Sequence, residues 1–179
     1  MTTERGALLR PEEKPFDRIV RDCCQELLVT YGLLDEAHAS SVKSAPREVA
    51  LCGMMSFRGQ QLRGSVVLTA SNGVLNVSCP AGAASQCDWI CELANQLAGR
   101  VKNRLLARGI EIQLATPVAL NGQALRPLTA KRRDCEVFAG LGGTFCVWAD
   151  YELTAGFSFP LDAPSGCEPV IAEGETLLF

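Results

Sequence analysis

The sequence predicts an α+β domain in which two main helices pack against a mostly antiparallel sheet. Two stretches, 15–34 and 85–107, repeat apolar residues at the three- and four-residue spacing of a helix. Between and after them run short segments rich in β-formers and bounded by Gly, Asn and Pro. The resulting order, helix then strands then helix then strands, differs from the strict alternation that builds a parallel sheet. Each half reads as a helix followed by strands, a faint sign of internal duplication.

Taken in order, residues 1–14 are polar and form a lead-in that ends at Lys14-Pro15. Pro15 suits the first turn of a helix, where no intrahelical partner needs its missing N–H. Phe16, Ile19, Val20, Cys23, Leu27 and Tyr31 then mark the apolar face of a helix over 15–34. A polar stretch over 35–46 leads to Pro46. Strands are expected over 47–57, 62–70 and 73–79, with Arg58-Gly59-Gln60-Gln61 and Ser71-Asn72-Gly73 as the turns. Pro80-Ala81-Gly82 breaks the chain before the second helix. Ser85 is its candidate N-cap, and Asp88 lies in the first turn, where a carboxylate suits the positive end of the helix dipole. Ile90, Leu93, Ala94, Leu97, Val101 and Leu105 form the buried face, and the helix stops near Gly109 with Arg104 and Arg108 at its C-terminal end. Ile110-Glu111-Ile112-Gln113-Leu114 alternates as a half-buried strand. Strands over 134–141 and 143–153 join through Gly142-Gly143, with a short strand near 155–159. The domain proper spans 15–160. Beyond it, 161–179 reads as an acidic extension whose final Leu177-Leu178-Phe179 can dock on a surface.

A chain of 179 residues, 47% hydrophobic, is large enough to bury a real core. Its net charge of -3 offers no whole-molecule attraction to nucleic acid or an anionic membrane. No apolar run approaches the ~20 residues of a membrane span, and the N-terminal residues lack the apolar stretch of a secretory signal, so a cytoplasmic protein is expected. The nine cysteines, at 23, 24, 52, 79, 87, 91, 135, 146 and 167, contain no Cys-x-x-Cys pair and share the chain with a single histidine, His38. Most sit within apolar patterns and read as reduced core residues. Cys87 and Cys91, one helical turn apart, are the pair that a metal would use.

The second helix carries the candidate function. Asp88, Glu92, Asn95 and Gly99 recur at helical spacing on the side opposite the apolar face. Packing does not call for a carboxylate and a carboxamide displayed to solvent three residues apart. Glu-x-x-Asn is by itself a common tetrapeptide, matched by any solvated helix face. Gly99 adds weight, because a glycine inside a helix costs about 1 kcal/mol relative to alanine and is usually there to admit a close neighbour.

This pattern resembles the CheC/CheX/FliY-type phosphatases of bacterial chemotaxis. Their signature is Asp or Ser, three residues, Glu, two residues, Asn, and a proline slightly more than twenty residues on. Here those positions are Asp88, Glu92, Asn95 and Pro117. Asn95-Gln96-Leu97-Ala98-Gly99 resembles the family's helix continuation, residues 109–122 its strand and proline segment, and 57–69 with Gly59 and Gly64 its glycine-containing hairpin. The likeness runs over about 50–122 and is topological elsewhere. The first helix offers Glu26, but Val29 stands where a second Asn would be needed, so the chain is more similar to CheX than to the two-site CheC. The acidic tail and the cysteine load depart from the pattern.

The resemblance implies a CheX-like domain that hydrolyses the phosphoaspartate of a CheY-like response regulator. Asn95 would aim the attacking water and Glu92 would pair with the regulator's active-site lysine, with Asp88, Gln96 and Gly99 on the partner-binding surface and Pro117 structural. Phosphoryl transfer proceeds through a loose transition state served by positioning, so a carboxamide suffices and no triad is required. No cofactor of its own is implied; Mg²⁺ belongs to the regulator. A homodimer is carried over from the family, with no nucleic-acid or membrane partner. Other readings follow from other residues. A non-catalytic CheX-like binding module would keep the same face. The basic run Arg100, Lys102, Arg104, Arg108, Arg126, Lys131, Arg132 and Arg133 would meet an acidic partner or nucleic acid, although no aromatic interleaving supports the latter. The cysteines would serve a redox or metal role.

Overall fold

The computed structural model describes residues 14–34, 51–81, 84–122 and 135–160. Helix α1 spans Pro15–Thr30, with Pro15 in its first turn and Phe16, Ile19, Val20, Cys23, Cys24, Leu27 and Leu28 buried. It closes four residues short of expectation. Gly32 adopts φ +64°, its N–H bonds to the Val29 carbonyl at 2.9 Å, and the Leu33 N–H reaches back to Leu28 at 2.8 Å. That pair of bonds is a Schellman ending, and buried Leu33 supplies its apolar contact.

Strands β1 (Leu51–Gly59) and β2 (Leu62–Ala70) form an antiparallel hairpin over the expected turn. The expected strand over 73–79 is instead a short helix, α2 (Asn72–Ser78). The reason lies in the sheet: β2 is already paired on both edges, by β1 and by β6 (Gly143–Leu153), so no edge is open to the segment that follows it. A helix buries Val74 and Leu75 with no ladder partner and leaves Val77 exposed. Gly73 lets its first turn press against the turn before β6, where an added Cβ would stand 2.1 Å from the Gly142 carbonyl oxygen.

Helix α3 runs Gln86–Leu106. It ends in a second Schellman arrangement at Gly109 (φ +71°), with the Ile110 N–H bonded to Leu105 and that of Gly109 to Leu106. Strands β3 (Ile112–Leu114) and β4 (Val118–Asn121) then share one edge of β1. Between them, Met55 and Ser56 face Ala115, Thr116 and Pro117, a bulge that seats the proline where the ladder needs no N–H. Strand β5 (Glu136–Gly140) pairs with β6. Among the described residues the six strands form one antiparallel sheet in the order β3-β1-β2-β6-β5, with β4 beside β1. The expected strand near 155–159 is a turn: the Phe157 N–H bonds to the Thr154 carbonyl and Gly156 has φ +81°. Phe157 and Phe159 alternate because they pack as a group with Phe16 of α1, not because they pair in the sheet. The lead-in, the starts of the strands expected from 47 and 134, and the extension over 161–179 lie outside the described residues.

The architecture is therefore α+β, with α1 and α3 laid on one face of the sheet. Leu51, Phe57, Leu62, Val66, Leu68, Phe145, Val147 and Tyr151 meet the helices there. The seat of α3 is unusually close at Gly53, where a Cβ would lie 2.5 Å from the Ile90 carbonyl oxygen and 2.9 Å from the Ala94 Cβ. This contact sets the height of α3 above β1 and so fixes what its opposite face presents.

Candidate functional site

Two hydrogen bonds start α3. The Asp88 N–H donates to the Ser85 hydroxyl at 3.1 Å, and that hydroxyl donates to the Asp88 carboxylate at 2.7 Å. The expected cap is thus in place, and the Asp88 side chain is engaged in it. Around the same end, Trp89 Nε1 donates to the Ser78 hydroxyl at 3.0 Å and Gln86 to Asn76 at 2.7 Å, so the last turn of α2 pins the first turns of α3.

Burial of Trp89, Ile90, Leu93, Ala94, Leu97, Ala98, Val101 and Leu105 forces the intervening residues outward. Asp88, Glu92 and Asn95 are exposed and Gly99 is partly so. From Asp88 to Gly99 the stripe is about 16 Å long at 1.5 Å per residue. Among the described residues the Asn95 carboxamide has no hydrogen-bond partner, and none of them lies within 4 Å of where a Cβ on Gly99 would stand. Packing among the described residues therefore gives no reason for this glycine. Gln96 is half-buried and spent within the chain: its Nε2 donates to Glu92 Oε1 at 2.8 Å, and its Oε1 accepts from the Tyr31 hydroxyl at 2.8 Å.

Tyr31, at the C-cap of α1, is the residue at this face that sequence reasoning missed. It sits edge-on to Trp89 with ring centroids 5.1 Å apart. The sequence places it on the apolar face of α1, and no local pattern joins it to Gln96. Further along, Arg104 pairs with Glu26 of α1 and Arg100 donates to the Thr30 hydroxyl at 3.5 Å. Arg108 donates to the Arg104 carbonyl at 2.8 Å. Part of the basic run is thus committed to joining α1 to α3; residues 126 and 131–133 lie outside the described residues. Glu26 is occupied by this ion pair, and Val29 packs against the core.

Cys87 is exposed and Cys91 half-buried on α3. Burial, then the Asp88 carboxylate and Cys87, push the Cys91 thiol up from its ordinary value, which favours a neutral thiol. Among the described residues no three His, Cys, Asp or Glu side chains gather as a metal would need, and no helix is long and apolar enough to cross a membrane.

No family model and no curated protein matches the chain by sequence. Solved structures do match its fold. The chemotaxis protein CheX from Vibrio vulnificus superposes with a TM-score of 0.60 at 19% identity, covering 80% of this chain and 100% of that one. A CheC-like superfamily protein from Shewanella sp. PV-4 gives 0.61 at 21% identity, over 79% and 99%. A chain of the CheX–CheY–BeF3–Mg²⁺ complex from Borrelia burgdorferi gives 0.55 at 15% identity, over 75% and 96%. At these identities the likeness is one of fold, and it bears out at that level the CheX-like domain that the sequence implied.

Proposed function

We propose that the chain is a CheX-type phosphatase that removes the phosphoryl group from the aspartate of a CheY-like response regulator. One observation carries the proposal: Glu92 and Asn95 stand exposed on the outer face of α3, with the Asn95 carboxamide uncommitted among the described residues, in a fold shared with a protein solved in complex with CheY. Asn95 enters beside the phosphoaspartate, where its carboxamide oxygen accepts a hydrogen bond from the incoming water and holds the water oxygen in line with the phosphorus. Glu92 meets the regulator's lysine and sets the register of the helix. Mg²⁺ is the regulator's contribution. Because the transition state is loose, alignment and charge placement suffice, and α3 supplies both from a rigid element. The open surface at Gly99 allows the partner's backbone to approach one turn beyond Asn95. The working form is a homodimer.

The test is decay of the phosphoaspartate on candidate regulators with wild-type protein and Asn95→Ala side by side. Loss of the aligned water should lower kcat at least about 100-fold, while the concentration for half-maximal acceleration moves little, the signature of a contact made only in the transition state. Full activity in Asn95→Ala would overturn the mechanism. Tight binding by wild type without any acceleration would instead establish a non-catalytic binding module on the same face.

A further inference from the structure

We propose that Tyr31 is a positioning residue of this face, holding Glu92 in its docking geometry through Gln96; the inference rests on the phosphatase reading for the purpose that Glu92 serves. The chemistry of the three groups fixes the direction of the chain. A carboxylate only accepts hydrogen bonds, so the Gln96 end facing Glu92 must be its NH₂. The carboxamide oxygen is thereby turned to Tyr31, whose hydroxyl must donate to it, as the 2.8 Å contacts on both sides allow. A flipped carboxamide would set oxygen against carboxylate. The carboxylate thus selects the orientation of Gln96, and the tyrosine hydroxyl, donating to the carboxamide oxygen, holds Gln96 against Glu92.

The anchor for this relay is itself firm. Tyr31 lies at the Schellman ending of α1, with its N–H bonded to the Leu27 carbonyl at 3.2 Å. Its ring is held edge-on by Trp89, which is 5% exposed and hydrogen-bonded to Ser78. From there the relay runs through half-buried Gln96 to the exposed Glu92 carboxylate. Glu92 is left with one oxygen engaged, while the other has no partner among the described residues and is open to a cation brought by the docking protein. Ordering that side chain before docking removes rotamer freedom that would otherwise be lost on binding. Asn95 takes no part in the relay, so the chemical step should not depend on it.

Tyr31→Phe tests this cleanly, since the ring remains against Trp89 and only the hydroxyl goes. In the free protein, side-chain couplings of Glu92 measured by NMR should show broader rotamer averaging in Tyr31→Phe than in wild type. Unchanged couplings would overturn the relay whatever the activity. In the phosphoaspartate decay assay, the regulator KM should rise about three- to tenfold, with kcat within about twofold of wild type. Tyr31→Phe combined with Gln96→Ala should be no worse than Gln96→Ala alone, since both act through one path. An unchanged KM, a fall confined to kcat, or full additivity would each overturn the positioning role. If wild type accelerated no regulator, the phosphatase reading would fall, and the Glu92 couplings would still decide the relay.

Discussion

Replacing Gly99 by alanine should make the protein more stable and a poorer partner. Gly99 lies well inside α3, where glycine is disfavoured by about 0.8–1.0 kcal/mol relative to alanine because it gives up more backbone freedom on ordering. The methyl group meets none of the described residues within 4 Å, so no steric penalty from them offsets that gain. About 1 kcal/mol in a domain of this size raises the melting temperature by about 2–4 °C. The same methyl group projects from the outer face one turn beyond Asn95, about 5–6 Å from it between Cβ atoms. If a partner backbone packs there, the methyl group overfills the contact, which costs about 1–3 kcal/mol and weakens docking by roughly 5- to 150-fold. Thermal melts in parallel with a regulator titration of phosphoaspartate decay read both effects on one preparation. A lower melting temperature would refute the reading of open space. A higher one with undiminished docking would refute the role of Gly99 at the interface.

The opposite outcome is expected at Gly53. Gly53→Ala drives a Cβ onto the Ile90 carbonyl and the Ala94 side chain, neither of which can swing aside. It should destabilise by about 1–3 kcal/mol and lower the proposed phosphatase activity as well, since Glu92 and Asn95 ride on the same turns; a melt and a decay assay check the two halves. A pH effect follows from the buried thiols. Burial pushes Cys23 up to about 12 and Cys52 to about 11 from an ordinary 9.0, and burial together with neighbouring thiols raises Cys24 also. Above pH 9 the unfolded chain sheds these protons while the folded chain keeps them. Stability present below that pH is then lost as pH rises, by about 1.4 kcal/mol per pH unit for each thiol. Urea midpoints at pH 8 and 10 should show the fall, and Cys52→Ala should flatten it; an unchanged slope would contradict the assignment.

The parts of this fold legible in the sequence are those written locally. Ser85 and Gly109 bracket α3, Gln60-Gln61 within the expected turn join β1 to β2, and the apolar periods of α1 and α3 mark their buried faces. The polar stripe Asp88, Glu92, Asn95 and Gly99 was legible for the same reason, since helical spacing alone decides which residues share a face. What was not legible depends on distant partners. Val74 to Cys79 alternates well enough for a strand, but both edges of β2 were already taken. Val118–Asn121 is a strand only because β1 offers it an edge. Phe157 and Phe159 mimic a strand because they pack with Phe16. Tyr31 and Gln96 are 65 positions apart, and their contact exists only once α1 and α3 are laid side by side.

The sheet order also has a consequence for how the chain comes off the ribosome. β1 and β2 can pair as soon as their hairpin emerges, yet the other edge of β2 is matched residue for residue by 145–153, among the last described positions to be made. Until then a run containing Val66, Val67 and Leu68 keeps one row of its amide and carbonyl groups unpaired, the arrangement that invites strands of neighbouring nascent chains to add on. Messages truncated before codon 143 should therefore yield aggregates rather than half-domains, and expression should depend more on slow synthesis and chaperone cover than the finished molecule's well-filled core would suggest.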